Sequence, residues 1–332
     1  MNDFPRLLES FFQKYLPVER GCSINTTKNY RDAFVYLLEY LKSANNLSAS
    51  QITMEKLEMQ TIVSFLDWLE TDKRVSVSTR NNRLAAMKSF FKYVSFREPM
   101  YLNQCNSVLA IKAKKTETVP MNYLTIAAIE LLFQSFDLSD VAELRDFCVI
   151  ATLYETGARV SELISIRCYE ARTEGPATVV LHGKGGKTRI TPIDKTLAGY
   201  IKKYISAFRI KQDDYLFMNS QRKQLTRRGV DYILQKHFLQ VKAENPDAFP
   251  AKLSPHCLRH SRAMHLLEND VELIYIRDLL GHSSVTTTEI YSKANPEIKR
   301  KHIQNVTKQI IDHDDFTVEQ QEDLLSWLKK NL

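Results

Sequence analysis

At 332 residues the chain is long enough for two hydrophobic cores, and its 44% hydrophobic and 26% charged content excludes a disordered or fibrous polymer. The formal net charge of +7 is spread as +6 over residues 1–115, +5 over 116–310 and −4 over 311–332, so both main segments favour a polyanionic partner. Five cysteines (Cys22, Cys105, Cys148, Cys168 and Cys257) without framework spacing exclude a disulfide scaffold and point to a reducing cytoplasm. No apolar run reaches the roughly 18 residues of a membrane span.

Residues 4–16 place Phe4, Leu7, Leu8, Phe11, Phe12 and Tyr15 at helical spacing among acidic residues, unlike the hydrophobic block of a signal peptide. Asn25 or Thr26 caps a longer helix, Thr27 to Ser43, and Met59 to Leu69 makes a third. A fourth runs from Ser78 to about Ser95, with Leu84, Met87, Phe90, Phe91 and Val94 on one side. Its other side carries Arg80, Asn81, Asn82, Arg83, Lys88 and Lys92. A solvated surface accounts for that face as well as a phosphate-contacting one does, although a helix start is where the dipole favours anions. Residues 103–122 break the periodicity and carry Lys112, Lys114 and Lys115 ahead of Pro120, the composition of a basic interdomain linker.

Beyond the linker, a helix near Thr125 to Phe136 precedes a strongly apolar one, Val141 to Thr156, which ends at Gly157. Arg159 stands at the turn into the next helix, whose first turn holds Ser161 and Glu162, the latter well placed for the dipole. Between Ala177 and Ile193 the period falls to two. Thr178 to Leu181 and Thr188 to Thr191 flank Gly183-Lys184-Gly185-Gly186, a hairpin with Lys184 at its tip. Helices at Leu197–Phe208 and Thr226–Lys242 follow, with Arg227 and Arg228 opening the second as candidate phosphate contacts. Asn295 and Pro296 open a helix to about Ile311. Then comes an acidic tail whose Phe316, Leu324, Leu325, Trp327 and Leu328 pack either in cis or on a neighbouring copy.

Polar chemistry is concentrated between Ser254 and Tyr291. Pro255 opens a helix from which His256 and Arg259, three residues apart, project on one face. A second helix, Val271 to Leu280, stops at Gly281; His282 follows at once and Tyr291 nine positions later. His256 and His260, four apart, also suit a zinc pair, but the glutamate of an HExxH box and any Cys-x-x-Cys are missing. One histidine on a helix is ordinarily structural. The order and spacing of the whole set are what distinguish it.

H-x-x-R, then L-G-H, then a tyrosine nine residues on follow the box Thr156-Gly157-Ala158-Arg159-Val160-Ser161-Glu162-Leu163 and the hairpin Lys184. In this order the chain resembles the tyrosine recombinase (phage integrase) family from about Asn122 to Arg300, and in outline before that. The resemblance implies a mainly α fold with a small β-hairpin or sheet in the catalytic domain, arranged as a two-domain DNA clamp. Its parts are a helical core DNA-binding domain (1–102), the linker (103–122), a catalytic domain (123–311) and the acidic tail (312–332).

It further implies a site-specific DNA recombinase that cleaves and rejoins strands through a covalent 3′-phosphotyrosine. Arg159, Lys184, His256, Arg259, His282 and Tyr291 are then catalytic and Glu162 supports them. Two arginines neutralise the phosphorane, Tyr291 attacks, and Lys184 protonates the departing 5′ oxygen, with no cofactor and no metal needed. Arg80, Asn81, Arg83, Lys88, Lys114, Lys115, Arg227 and Arg228 are the expected DNA contacts. The partners expected are double-stranded DNA with paired inverted half-sites and three further copies, giving a homotetramer on two sites from a monomer when free. The expected setting is the cytoplasm, with no membrane. A type IB topoisomerase shares the chemistry, and a non-catalytic accessory protein shares the fold without it.

Overall fold

The structure, a computed structural model, describes residues 3–48, 51–116 and 121–282 together with Thr288, Tyr291, Ser326, Leu328 and Lys329. The helix expected to run to Ile311 and the tail residues Phe316, Leu324, Leu325 and Trp327 lie outside the described residues, as does the Lys184 side chain. The chain forms two compact units, Met1–Val119 and Pro120–Leu332. No helix among the described residues is long and apolar enough to cross a membrane.

The first unit is all helical: α1 (Asp3–Ser10), continued by a wider π-helical stretch over Phe11–Glu19, then α2 (Ile24–Asn45), α3 (Met59–Thr71), α4 (Val77–Arg97) and α5 (Leu102–Leu109). The hydroxyls of Ser23 and Ser76 accept from the N–H groups of Thr26 at 3.2 Å and Thr79 at 3.3 Å. These bonds satisfy donors that a helix start leaves unpaired, so α2 and α4 begin earlier than apolar periodicity alone places them. In the core, Phe11 meets Phe90 at 5.4 Å and 87°, and Phe34 meets Phe90 at 5.1 Å and 73°. Such edge-to-face pairs are the arrangement the ring quadrupoles favour.

Part of the expected linker is core. Residues 102–109 form α5 because Cys105 and Val108, three apart, are fully buried against α3 and α4. With so few apolar residues, the segment carries too weak a helical period to register in sequence.

The second unit comprises α6 (Ile126–Gln134), α7 (Val141–Thr156), α8 (Val160–Leu163), α9 (Lys195–Phe208), α10 (Arg227–Glu244), α11 (Pro255–Glu268) and α12 (Leu273–Leu280). Helix α7 is buried on nearly every side, through Leu144, Cys148, Val149, Ile150, Ala151 and Leu153, and α6, α9, α10 and α11 pack around it. That is the place for a helix apolar all round.

The sheet is antiparallel in the order β1 (Ala171–Arg172), β2 (Thr178–His182), β3 (Thr188–Pro192). Its hairpin is the one expected, closed by the Gly183 N–H donating to Lys187 O at 2.7 Å. Val179 pairs with Thr191 and Leu181 with Arg189. Paired residues share a face, so Arg189 is carried inward beside buried Leu181 while Ile190 is turned out, 69% exposed.

Helix α11 is fastened to the strand of chain that opens the unit. The Leu124 N–H donates to Ser261 Oγ at 2.8 Å, and His265 Nε2–H donates to Leu124 O at 2.8 Å. The Nδ1 of His265 is then left to accept from the Tyr154 hydroxyl at 2.9 Å, a structural histidine with both nitrogens used.

Phe90 is the ring shared by both aromatic pairs, so Phe90→Ala should destabilise the first unit by about 3–5 kcal/mol. In a Trp327→Phe background Trp68 is the sole tryptophan, and its fluorescence in a urea titration isolates this unit. A midpoint that does not move contradicts the core described.

Candidate active site

Two helix ends meet beneath the site. Helix α7 stops at Gly157, where φ is +58° and a Cβ would stand 2.6 Å from Leu280 Cδ2. Helix α12 stops at Gly281, where φ is +62° and a Cβ would stand 2.9 Å from Arg189 Nη1. Both turns need a left-handed residue with no side chain. Helix C-termini expose carbonyl oxygens carrying partial negative charge, and arginines satisfy them. Arg259, 1% exposed, donates from Nη1 to Gly157 O at 2.5 Å and from Nη2 to Leu280 O at 2.7 Å. Arg189 donates from Nε to Leu279 O at 2.8 Å.

Glu162 is the anion of the cluster, 2% exposed on the short α8. Its Oε2 accepts from the Arg159 backbone N–H at 2.9 Å and from Arg189 Nη2 at 2.8 Å, and its Oε1 accepts from Arg159 Nη1 at 2.7 Å. Burial pushes the carboxyl up, but Arg189 and Arg159 outweigh that and hold it below the usual carboxylate range. Arg159 itself is partly open to solvent. With Ser161, Arg227 and His256 it lines a pocket of about 280 Å³.

Tyr291 lies 1% exposed, with its backbone N–H on Thr288 O at 3.0 Å. Its hydroxyl stands 3.1 Å from His260 Nδ1, and its ring runs parallel to that of His282 at a centroid separation of 6.4 Å. Burial raises the phenol above its ordinary value, against the opposing pull of Arg259 and Arg159. His282 Nδ1 pairs with the Thr288 hydroxyl at 3.0 Å. Burial first, then the positive charge of the arginines, pushes His282 down to about 4, and lowers His256 in the same way.

The structure thus gathers Arg159, Glu162, His256, Arg259, His282 and Tyr291 around two turns, with Lys184 in the hairpin turn between β2 and β3. Two neighbours were not among the expected site residues: Arg189, and His260, which the sequence offered only as half of a zinc pair with His256. Arg189 sits in a strand whose alternation reads as Ile190-inward. His260 follows Arg259 directly, and its place by Tyr291 depends on a residue 31 positions away.

The expected DNA-contacting residues divide. Arg227 and Arg228 are exposed on the first turn of α10, where the Thr226 hydroxyl caps the helix, and Lys115 is exposed as well. On α4, Arg80 is buried and ion-paired with Glu70 at 3.4 Å. Asn81 brackets the backbone of Lys114, donating to its O at 2.8 Å and accepting from its N–H at 3.1 Å. Arg83 donates to Asn29 O at 2.7 Å and lies over the Tyr36 ring, while Lys88 is half-buried. The Lys114 ammonium pairs with Glu70 and Asp67. Much of this polar face therefore holds the first unit together, because a helix start packed under a returning chain has its own backbone partners to satisfy.

Comparisons with known proteins agree over both units. Residues 122–297 match the phage integrase family, and residues 9–97 match the N-terminal SAM-like domain of phage integrases. The tyrosine recombinase XerD of Listeria monocytogenes is 33% identical over 298 residues, covering 88% of this chain and 94% of its own. Among solved structures, the Tn1549 transposon integrase in complex with transposon right end DNA superposes with a TM-score of 0.69. The identity is 15%, over 90% of this chain and 98% of that one. The XerH site-specific recombinase bound to palindromic difH substrate gives 0.66 and 21%, over 82% and 77%. These two likenesses establish a shared fold.

Gly281→Ala should lower melting temperature through backbone strain of about 1–2 kcal/mol and expel Arg189 from its place. Gly281→Asn relieves the strain, since Asn tolerates the left-handed region, but not the collision. Strand cleavage should fall at least tenfold in both, with the smaller loss of stability in the Asn variant. Normal cleavage by both would show that the Arg189 position is immaterial.

Proposed function

The chain belongs to the phage integrase (tyrosine recombinase) family, and from that premise we propose that it is a site-specific recombinase working through a covalent 3′-phosphotyrosine. One observation carries this: Tyr291, the proposed nucleophile, lies within the same cluster as Arg259, Arg159 and His282.

A phosphodiester resists attack because its charge repels nucleophiles and an alkoxide leaves poorly. Arg159 and Arg259 counter the first obstacle by neutralising charge that grows as phosphorus becomes pentacoordinate. Arg259 spends one N–H of each terminal nitrogen on a helix-end carbonyl, which fixes the plane of its guanidinium and leaves other N–H groups for the phosphate. Glu162 positions Arg159. His256 and His282, both neutral, donate to non-bridging oxygens. Lys184 on the hairpin turn meets the second obstacle by protonating the 5′ oxygen as it leaves. The tyrosyl phosphodiester conserves the bond energy, so the strand is rejoined by the reverse attack. With 1% of its surface exposed, Tyr291 must be uncovered before it reaches phosphorus, so DNA binding precedes a rearrangement of the site.

Arg227, Arg228 and Lys115 are the expected contacts to the duplex backbone. Strand exchange joins two duplexes, each with two inverted half-sites, and so calls for four copies on DNA from a free monomer. Its setting is the cytoplasm.

Tyr291→Phe removes only the attacking oxygen. Incubated with a nicked suicide substrate, it should retain the gel-shift affinity of the parent chain and form no adduct that survives denaturing electrophoresis. An adduct formed by the Phe variant would assign the nucleophile elsewhere.

A further inference from the structure

The H-x-x-R motif draws attention to His256, yet the histidine on the nucleophile is the next one along the helix. His260 Nδ1 lies 3.1 Å from Tyr291 Oη, hydrogen-bond distance for a hydroxyl proton. His282 faces the tyrosine ring in parallel at 6.4 Å and has its Nδ1 on the Thr288 hydroxyl. His256 packs edge-on against His260, with ring centroids 4.3 Å apart, on the solvent side. Of the three, His260 alone has a nitrogen directed at the reacting oxygen.

Resting on the recombinase function proposed above, we propose that His260 is a further catalytic residue, the base that takes the proton of Tyr291 as its oxygen attacks phosphorus. In the tautomer this proposal assigns, Tyr291 donates, Nδ1 accepts, and Nε2 keeps its hydrogen. Burial, then His256 and Arg259, push His260 down to about 4, so it is neutral and an acceptor at neutral pH. The hydroxyl, on a side chain 1% exposed before DNA binds, already rests on His260, so an acceptor for its proton is in place before the site rearranges. Arg259 and His260 divide the work. The guanidinium favours the phenolate electrostatically, and the imidazole receives the proton.

The step balances. The Oη–P bond forms as the P–O5′ bond breaks. The Oη proton ends on His260 Nδ1, giving an imidazolium, and the 5′ oxygen takes its proton from Lys184. The negative charge of the bound phosphate offsets the cations that otherwise resist the imidazolium. Rejoining runs the transfers backward, His260 returning its proton to the departing phenolate.

His260→Asn and His260→Ala in the full chain test this. The Asn amide oxygen can stand where Nδ1 stands and accept the same hydrogen bond, but it cannot carry off a proton at neutral pH. Single-turnover formation of the covalent complex on a nicked suicide substrate should slow by about 100- to 10,000-fold in both variants. Gel-shift affinity within threefold of the parent shows that they are folded. On a substrate with sulfur in place of the bridging 5′ oxygen, which leaves without a proton, Lys184→Ala should recover while both His260 variants stay slow. Parental rates in His260→Asn, with or without a defect in His260→Ala, would overturn the proton transfer and leave His260 as a positioning contact. A parent chain that forms no adduct on either substrate would overturn the recombinase function itself, and this proposal with it.

Discussion

One buried carboxylate organises the second unit. Glu162 accepts from the Arg159 backbone, the Arg159 guanidinium and Arg189. A carboxylate so deeply enclosed is tolerable only because these donors surround it, and removing one partner of a buried pair typically costs about 3–5 kcal/mol. Three separate parts of the chain are joined at this point: the turn after α7, strand β3 and, through the other end of Arg189, the end of α12. Arg259 makes a second tie between the same two helix ends. Tyr291 and its neighbouring histidines are disposed around that frame.

The charge balance follows from the same ties. Three arginines (Arg159, Arg189 and Arg259) face one carboxylate, an excess of two positive charges in a largely enclosed site. Burial first, and then neighbouring positive charge, depresses His256, His260 and His282, and Arg259 itself falls to about 10, chiefly through burial and then through Arg159. The pentacoordinate phosphorane of the proposed reaction carries two negative charges, which this excess of two positive charges matches. Neutral His256 and His282 suit that setting, since they hydrogen-bond without adding to a repulsion already present.

Much of the fold was legible because it rests on periodicity. Helix α7 and the β2–β3 hairpin followed from apolar spacing and a glycine-rich turn, and the order of the site residues carried the family. What escaped depends on contacts distant in sequence. Helix α5 shows few apolar residues, and Cys105 and Val108 gain their meaning only from the core they meet. Arg189 was hidden by an inverted alternation, with an arginine inward and Ile190 outward, because the interior holds a carboxylate at that register. Arg80, Asn81 and Arg83 read as a DNA face, yet their partners are Glu70, the Lys114 backbone and the Asn29 carbonyl, none of which spacing reveals.

The dependence of the site on Glu162 is open to a double-mutant cycle. Glu162→Gln, Arg189→Ala and the pair are compared with the parent chain in the rate of covalent attachment to DNA. If both residues act through one shared interaction, each single change slows attachment at least tenfold and the double is no slower than the worse single. That corresponds to a coupling above about 1.4 kcal/mol. Losses that simply multiply, leaving no coupling, would contradict the account.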